Sequence, residues 1–300
     1  MKTLIRLLAV APLLASSAAI SGDVVADRPH VCDPCDEWNI PTAEFRVYGN
    51  TWYVGTAGLG AVLITSPKGH ILIDGGLPQS APLIAENIRK AGFKLEDVKL
   101  ILNSHTHYDH AGGIAALQRA SGAQVAASPK GKLALERGGP NEDDPQFTFG
   151  HEHNDYAPVP NVREFADGET LRVGTLAVTA HLTPGHTPGG TSWTWKSCEG
   201  KRCLNLVYAD SLNSVSAPDF KFSADAARVA EFERSIGVVE SLPCDLLIAP
   251  HPVLIEMDAK LAQWKKTPTV NPFIDTGACK AYAAGARERL KTRVAQEKGT

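Results

Sequence analysis

The chain has 300 residues, of which 43% are hydrophobic, and 30 Lys and Arg stand against 33 Asp and Glu. A net charge of −3 gives no reason to expect nucleic acid or an anionic membrane surface as a partner. The length suits one two-layered α/β domain.

Residues 1–21 follow the three-part pattern of a secretory signal peptide. A basic start, Met1 to Arg6, leads into the apolar stretch 7–15, and small residues follow up to Ser21. The apolar stretch is shorter than the ~20 residues that a membrane-spanning helix needs, and no later segment approaches that length. We therefore expect a signal peptide at 1–21, a single domain at 22–300, and an exported, periplasmic protein with no membrane span.

The first half of the mature chain reads as strands followed by helices. Short apolar segments separated by Gly and Pro predict an antiparallel meander over residues 45–48, 52–55, 61–65 and 70–74. Apolar residues at helical spacing predict a helix over 81–91, and the apolar run 98–102 predicts a buried strand. Beyond it we expect a helix beginning near Asp109, a strand at 125–127, a helix at 130–137 and a long polar loop over 141–160.

The second half repeats this order. It predicts strands at 169–173, 176–182, 191–196 and 204–209, a helix at 224–242, a strand at 245–249, and helices at 258–266 and 279–298. Two halves that each run from strands to helices predict an α/β (α+β) fold, an αββα sandwich. In it two mixed β-sheets pack face to face, with helices on the outer faces.

Six cysteines in an exported protein indicate disulfides. Cys198 and Cys203 flank the turn between two predicted strands, so a bridge would close that hairpin. Cys244 precedes the strand at 245–249 and Cys279 begins the last helix, so a bridge would attach that helix to the sheet. The Cys32-Asp-Pro-Cys35 segment has the spacing of a redox or metal half-site, but no second half-site follows. A local disulfide and an unpaired surface pair both remain open for it.

The segment Ser104-His-Thr-His-Tyr-Asp-His110 directly follows the predicted buried strand. It places His105, His107, Asp109 and His110 within six positions, at a strand end where loops carry function. Imidazole nitrogen and carboxylate oxygen suit Zn²⁺ and similar ions. A zinc site with an open position needs three protein ligands, so four ligands here and others downstream predict two metal ions.

Two further histidines stand at strand ends. His186 lies in Pro-Gly-His-Thr-Pro-Gly-Gly after the strand at 176–182, and His251 lies in Pro-His-Pro after the strand at 245–249. The prolines restrict the backbone around each imidazole and reduce the entropy lost when a ligand is fixed. Together with the first motif they give six ligands, enough for two sites of three.

The order of these motifs resembles the metallo-β-lactamase superfamily over nearly all of the mature chain. Asp74 resembles its first motif, a strand-end aspartate that supports the metal loop, and the segment 208–212 resembles its fourth. Within the superfamily the chain looks most like the subclass B3 metallo-β-lactamases. The segments that carry this likeness are residues 50–55, 184–195, 209–212 and 250–252.

The resemblance implies a dinuclear zinc enzyme that hydrolyses β-lactams. It implies one Zn²⁺ on His105, His107 and His186, and a second on Asp109, His110 and His251. A hydroxide shared by the two ions would attack the β-lactam carbonyl. Asp109 would both bind the second ion and orient the hydroxide. No covalent intermediate would be needed, so no activated serine is expected.

Substrate binding is implied for the fourth motif. In subclass B3 relatives the residue equivalent to Ser211 helps to bind the substrate carboxylate. Where those relatives commonly carry Ser or Thr two positions later, this chain has Asn213, whose amide still donates a hydrogen bond but with a different reach. We expect a small-molecule β-lactam as the partner, and a monomer.

Two other functions remain open. A thioesterase of the glyoxalase-II type or a lactonase would share the metal motif and would use an aspartate such as Asp210 to bridge the metals. A non-catalytic exported zinc-binding protein would need the ligands but no turnover. The cluster His151-Glu-His153-Asn-Asp155 lies in the polar loop, where no buried strand fixes it, and we assign it no metal. His70 and His181 lie inside strand patterns and are predicted to be packed or edge residues.

Overall fold

The computed structural model describes residues 23–299, so the predicted signal peptide lies outside the described residues. Two β-sheets account for the strands. The seven-stranded sheet contains, in spatial order, β1 (Phe45–Tyr48), β2 (Thr51–Tyr53), β3 (Val62–Ile64), β4 (His70–Ile73), β5 (Val98–Leu102), β6 (Gln124–Ala127) and β7 (Arg163–Glu164). The five-stranded sheet contains β8 (Thr170–Val173), β9 (Leu176–Leu182), β10 (Thr191–Glu199), β11 (Arg202–Tyr208) and β12 (Leu246–Ile248), with β12 and β8 at its edges.

Both sheets are mixed. Strands β1 to β4 form the predicted antiparallel meander, and β4 to β7 are parallel. In the second sheet β8 to β11 are antiparallel, and β12 is parallel to β11. The α-helices of the described residues are α1 (Cys35–Trp38), α2 (Ala81–Lys90), α3 (Tyr108–Ala111), α4 (Ile114–Ser121), α5 (Pro129–Arg137), α6 (His151–Asn154), α7 (Ala226–Ser241), α8 (Met257–Lys266) and α9 (Ala278–Lys298).

The layers follow from the alternation of side chains along the strands. In β4, Ile71 and Ile73 belong to the core between the sheets, together with Trp193 of β10. Leu72, between them, belongs to a second core with Ile84 of α2 and other residues of α2 and α4. Helices α7 and α9 pack against each other and against the second sheet. The predicted αββα sandwich is therefore confirmed.

Predicted and observed elements agree to within a few residues at most ends, and β1, β5 and β9 agree at both ends. The differences are short elements. Helix α1 and strand β7 lie where no element is predicted, and α6 lies inside the predicted loop 141–160. Four residues make about one helical turn, too few for a periodic apolar pattern to be visible.

Three disulfides connect the six cysteines: Cys32–Cys35, Cys198–Cys203 and Cys244–Cys279. The hairpin bridge and the bridge to the last helix are confirmed as predicted. The first pair forms the local disulfide, not the unpaired alternative. Among residues 23–299, no helix has the length and apolar character needed to cross a membrane.

Candidate metal centre

The predicted ligands meet where strands of both sheets end. His105, His107, Asp109 and His110 follow β5, and the short helix α3 begins immediately after His107. His186 follows β9 and His251 follows β12. Although these three loops are far apart in sequence, their side chains form one cluster.

The first group consists of His105, His107 and His186. All three are buried, and each offers a ring nitrogen such that the three nitrogens lie within 4.8 Å of one another. Adjacent rings are nearly perpendicular, with centroids 4.7 to 5.1 Å apart. The Nε2 atom of His105 is buried without a hydrogen-bond partner. Such an unpaired buried nitrogen is costly unless something binds it, so this group suits a metal ion.

The loop after β11 holds two of these imidazoles from behind. His105 Nδ1 lies 2.9 Å from Asp210 Oδ1, and His186 Nδ1 donates to the backbone carbonyl of Asn213 at 2.7 Å. Hydrogen bonds at Nδ1 leave the Nε2 lone pair of each ring available. Carbonyl or carboxylate partners on the far nitrogen are the usual surroundings of metal-binding histidines. Asp210 therefore lies behind His105, on the side away from Nε2.

His107 is held by Asp144, for which the sequence predicts no role. Its Nε2 donates to Asp144 Oδ1 at 3.1 Å, which leaves its Nδ1 available. Burial would lower the pKa of His107, but the Asp144 carboxylate keeps that pKa raised. Asp144 lies in the predicted polar loop, and nothing in the sequence distinguishes it from its neighbour Asp143.

The second group consists of Asp109, His110 and His251. Asp109 Oδ2 lies 3.2 Å from His110 Nε2 and 3.4 Å from His251 Nε2, and the two nitrogens are 3.1 Å apart. Ligand atoms bound tetrahedrally at about 2.0–2.1 Å from a zinc ion are about 3.3 Å from one another. The three atoms are therefore spaced as a zinc site requires. His105 adjoins this group, with its ring centroid 4.3 Å from that of His110.

The protonation states of His186, His251 and Asp109 favour metal binding. Burial, with smaller contributions from neighbouring imidazoles, lowers the pKa of His186 to about 3 and that of His251 to about 4. Burial alone would raise the pKa of Asp109, but the adjacent His110 and His251 hold it well below its usual range. Neutral imidazoles and an ionised carboxylate are the forms that bind metals.

Asp74 connects the metal loop to both sheets. It follows β4 with a left-handed backbone, φ 66°. Its carboxylate accepts hydrogen bonds from the backbone N–H and the hydroxyl of Ser104, both at 2.7 Å, and from Asn103 Nδ2 at 3.1 Å. The Tyr208 hydroxyl donates to it at 2.8 Å from the second sheet. This agrees with its interpretation as a support of the metal loop.

Members of both groups line a cleft of about 440 Å³. Ser211 and Asn213, the predicted substrate-binding residues, line it together with Asp109. The Ser211 hydroxyl is buried and has no hydrogen-bond partner. Trp38 of α1 and Val253, which is 79% exposed, add an apolar rim that sequence reasoning missed. Because surface apolar residues are common, nothing in the sequence marks these two.

The remaining predicted histidines lie outside both groups. His70 is buried in β4, and His181 Nε2 is 2.8 Å from the Thr194 hydroxyl, so both are packed or edge residues as predicted. His151 is exposed beside Asp155. His153 packs on Phe149 at the edge of the cleft. A larger cleft of about 620 Å³ next to His181 contains none of the six ligands.

Comparison with known proteins gives two kinds of relative. The family model of the metallo-β-lactamase superfamily matches residues 61–197. Among curated proteins, the chain is 30% identical over 162 residues to a hydroxyacylglutathione hydrolase of Anaeromyxobacter dehalogenans (strain 2CP-C), which is 53% of this chain and 48% of that protein. It is 28% identical over 160 residues to an N-acyl homoserine lactonase of Bacillus cereus, 43% of this chain and 55% of that protein. The chain thus spans about half the length of the curated relatives it matches.

Solved structures match over nearly their whole length. The chain is 52% identical to Rm3 metallo-beta-lactamase, with a TM-score of 0.86 and coverage of 89% of this chain and 99% of that one. It is 50% identical to MEM-A1, a subclass B3 metallo-beta-lactamase isolated from a soil metagenome library. There the TM-score is 0.83, and the match covers 87% of this chain and 99% of that one.

Proposed function

Because the chain belongs to the metallo-β-lactamase superfamily and matches subclass B3 enzymes over nearly their whole length, we propose that it hydrolyses the β-lactam amide bond with two zinc ions. The observation that carries the proposal is the pair of adjacent three-ligand groups, of whose six residues His107, Asp109, His186 and His251 line one cleft. Neither the fold nor a single histidine cluster would be enough to assign this reaction, because function depends on the complete site.

The ligand assignment divides the cluster into two sites. His105, His107 and His186 would hold one zinc ion, and Asp109, His110 and His251 would hold the other. When bound, two neighbouring zinc ions polarise a carbonyl group and lower the pKa of a water molecule towards neutrality, so that water can attack at physiological pH.

The residues of the chain would then orient the reaction. Asp109 lines the cleft, so its carboxylate can accept a hydrogen bond from the attacking water and direct it. Ser211 and the amide of Asn213 can donate hydrogen bonds to the carboxylate of the substrate. Ser211 has no hydrogen-bond partner that would act as its base, so it is assigned to binding and not to nucleophilic attack.

A thioesterase or lactonase activity is the second candidate, supported by the curated relatives. It would require Asp210 to bridge two metal ions. The contact of Asp210 with the far nitrogen of His105 favours the β-lactamase assignment. The match to those relatives over about half of their length favours it as well.

We also propose the cellular location, the domain bounds and the oligomeric state of the enzyme. Three disulfides are consistent with export to an oxidising compartment. We take residues 1–21 as a signal peptide, residues 22–300 as one catalytic domain, the periplasm as its location and the monomer as its state.

The test is hydrolysis of a panel of penicillins, cephalosporins and carbapenems by the metal-free and the zinc-reconstituted protein. A hydroxyacylglutathione and an acyl-homoserine lactone are assayed in parallel. We expect zinc-dependent turnover of β-lactams. Zinc-dependent turnover of the thioester or the lactone without β-lactam hydrolysis would contradict the proposal in favour of the second candidate.

A further inference from the structure

The contact between Asp144 and His107 joins the metal centre to a loop that sequence reasoning left without a function. Asp144 Oδ1 accepts from His107 Nε2 at 3.1 Å and from the backbone N–H of Gln146 at 2.8 Å. We propose that Asp144 is a positioning residue that orients His107 for metal binding and attaches one wall of the cleft to it. This inference rests on the proposed function, because it takes His107 as a metal ligand.

The burial of Asp144 is the first argument. Its side chain is fully buried, and its second oxygen, Oδ2, has no hydrogen-bond partner. A buried carboxylate is costly unless it is paired with a group that gains from its charge. If the residue only closed a turn, a neutral acceptor would do so at lower cost. The group that gains from the charge is the His107 ring, whose centroid lies 5.1 Å from that of His105 and 4.7 Å from that of His186.

The tautomer of His107 is the second argument. A hydrogen bond from Nε2 to a carboxylate keeps the proton on Nε2 and leaves the lone pair on Nδ1. A carboxylate partner also makes an imidazole a stronger ligand, and loss of such a partner typically lowers metal affinity about 10–100-fold. His105 and His186 are held through Nδ1 instead. The orientation of His107 therefore depends on Asp144.

The loop around Asp144 is the third argument. The residue after it, Pro145, accepts from the backbone N–H of Ala217 at 2.9 Å, and Gln146 and Phe149 line the cleft. Because one carboxylate oxygen accepts from both His107 and Gln146, the ligand and the cleft wall share an anchor. Removal of this shared acceptor oxygen should therefore affect both metal binding and substrate binding.

Two variants separate these effects. Asp144→Asn keeps an acceptor oxygen for His107 and Gln146 but removes the charge, whereas Asp144→Ala removes both hydrogen bonds. The matched control is Asp143→Asn, because Asp143 is on the same loop and its carboxylate pairs with Lys130 at 3.0 Å. Zinc affinity is measured by competition with a chromophoric chelator, and KM and kcat are measured on the zinc-loaded protein with a β-lactam.

We expect Asp144→Asn to lower zinc affinity about 10-fold or more with KM unchanged, and Asp144→Ala to lower zinc affinity further and to raise KM. Asp143→Asn should match the wild type in both. If a metal-free variant fails to fold, the rate at which its zinc-loaded form releases zinc to the chelator gives the same comparison. Wild-type zinc affinity in Asp144→Asn would overturn the inference. Two bound zinc ions without β-lactam turnover in the wild type would overturn only the substrate assignment.

Discussion

Removal of the Cys244–Cys279 disulfide is expected to destabilise the protein about twice as much as removal of Cys198–Cys203. The first bridge spans 35 residues of sequence and the second spans 5. The chain-entropy model of disulfide stabilisation gives about 4 kcal/mol for a loop of the first length and about 2 kcal/mol for the second. Cys279 is buried, whereas both members of the short bridge are exposed, so the truncation of Cys279 adds to the difference.

The long bridge also supports the metal centre. It attaches the first turn of α9 to the residue that leads into β12. Further along α9, the Tyr282 hydroxyl donates to the backbone carbonyl of Asp210 at 2.8 Å, and Arg289 donates to that of Leu212 at 3.2 Å. The segment from Asp210 to Asn213 holds His105 and His186 from behind. A loosened α9 should therefore also weaken zinc binding.

The assay compares Cys244→Ala/Cys279→Ala with Cys198→Ala/Cys203→Ala. Free energies of unfolding are measured for the metal-free proteins in urea, because bound zinc would add its own stabilisation. Zinc affinity is then measured for each variant, and only Cys244→Ala/Cys279→Ala should bind zinc more weakly. Equal losses of stability in the two variants, or a larger loss for the hairpin bridge, would refute the reasoning.

The remaining predictions concern the metal centre. Asp210→Asn should retain two zinc ions and measurable turnover, because Asp210 contacts the far nitrogen of His105; loss of a zinc ion with nearly all activity would instead indicate a bridging role. Ser211→Ala should raise KM for carboxylate-bearing β-lactams about 2–10-fold with little change in kcat, the effect of one hydrogen bond. Asp109→Asn should lower kcat about 100-fold or more and reduce zinc content, and a near-normal kcat would contradict the reading of the central motif. Chelation should abolish turnover and zinc should restore it, with elemental analysis of the active protein giving two zinc ions per chain. Time-dependent covalent labelling of Ser211 by a β-lactam would exclude the proposed mechanism.

Much of the fold could be predicted because it is encoded by local patterns. Short apolar segments and the Gly and Pro residues between them indicated the strands, and β5 and β9 have the predicted bounds. The Cys198–Cys203 disulfide could be predicted from the two strands that flank its hairpin turn. The six proposed ligands were identified by their position directly after strands, and the structure brings all six together.

The sequence by itself determined which residues offer metal ligands, because ligand type and strand-end position are properties of short segments. Only the tertiary structure decided which residues contact the ring nitrogens of those ligands that do not bind the metal. Asp144 and Asp143 are equivalent in sequence, yet Asp144 is buried against His107, 37 positions away, and Asp143 is partly exposed beside Lys130. Likewise, the sequence left open whether the Asp210 carboxylate bridges the metal ions. In the structure, this carboxylate follows β11 and lies beside His105 Nδ1. Such contacts join distant segments through the packing of two sheets, and no local periodicity encodes them.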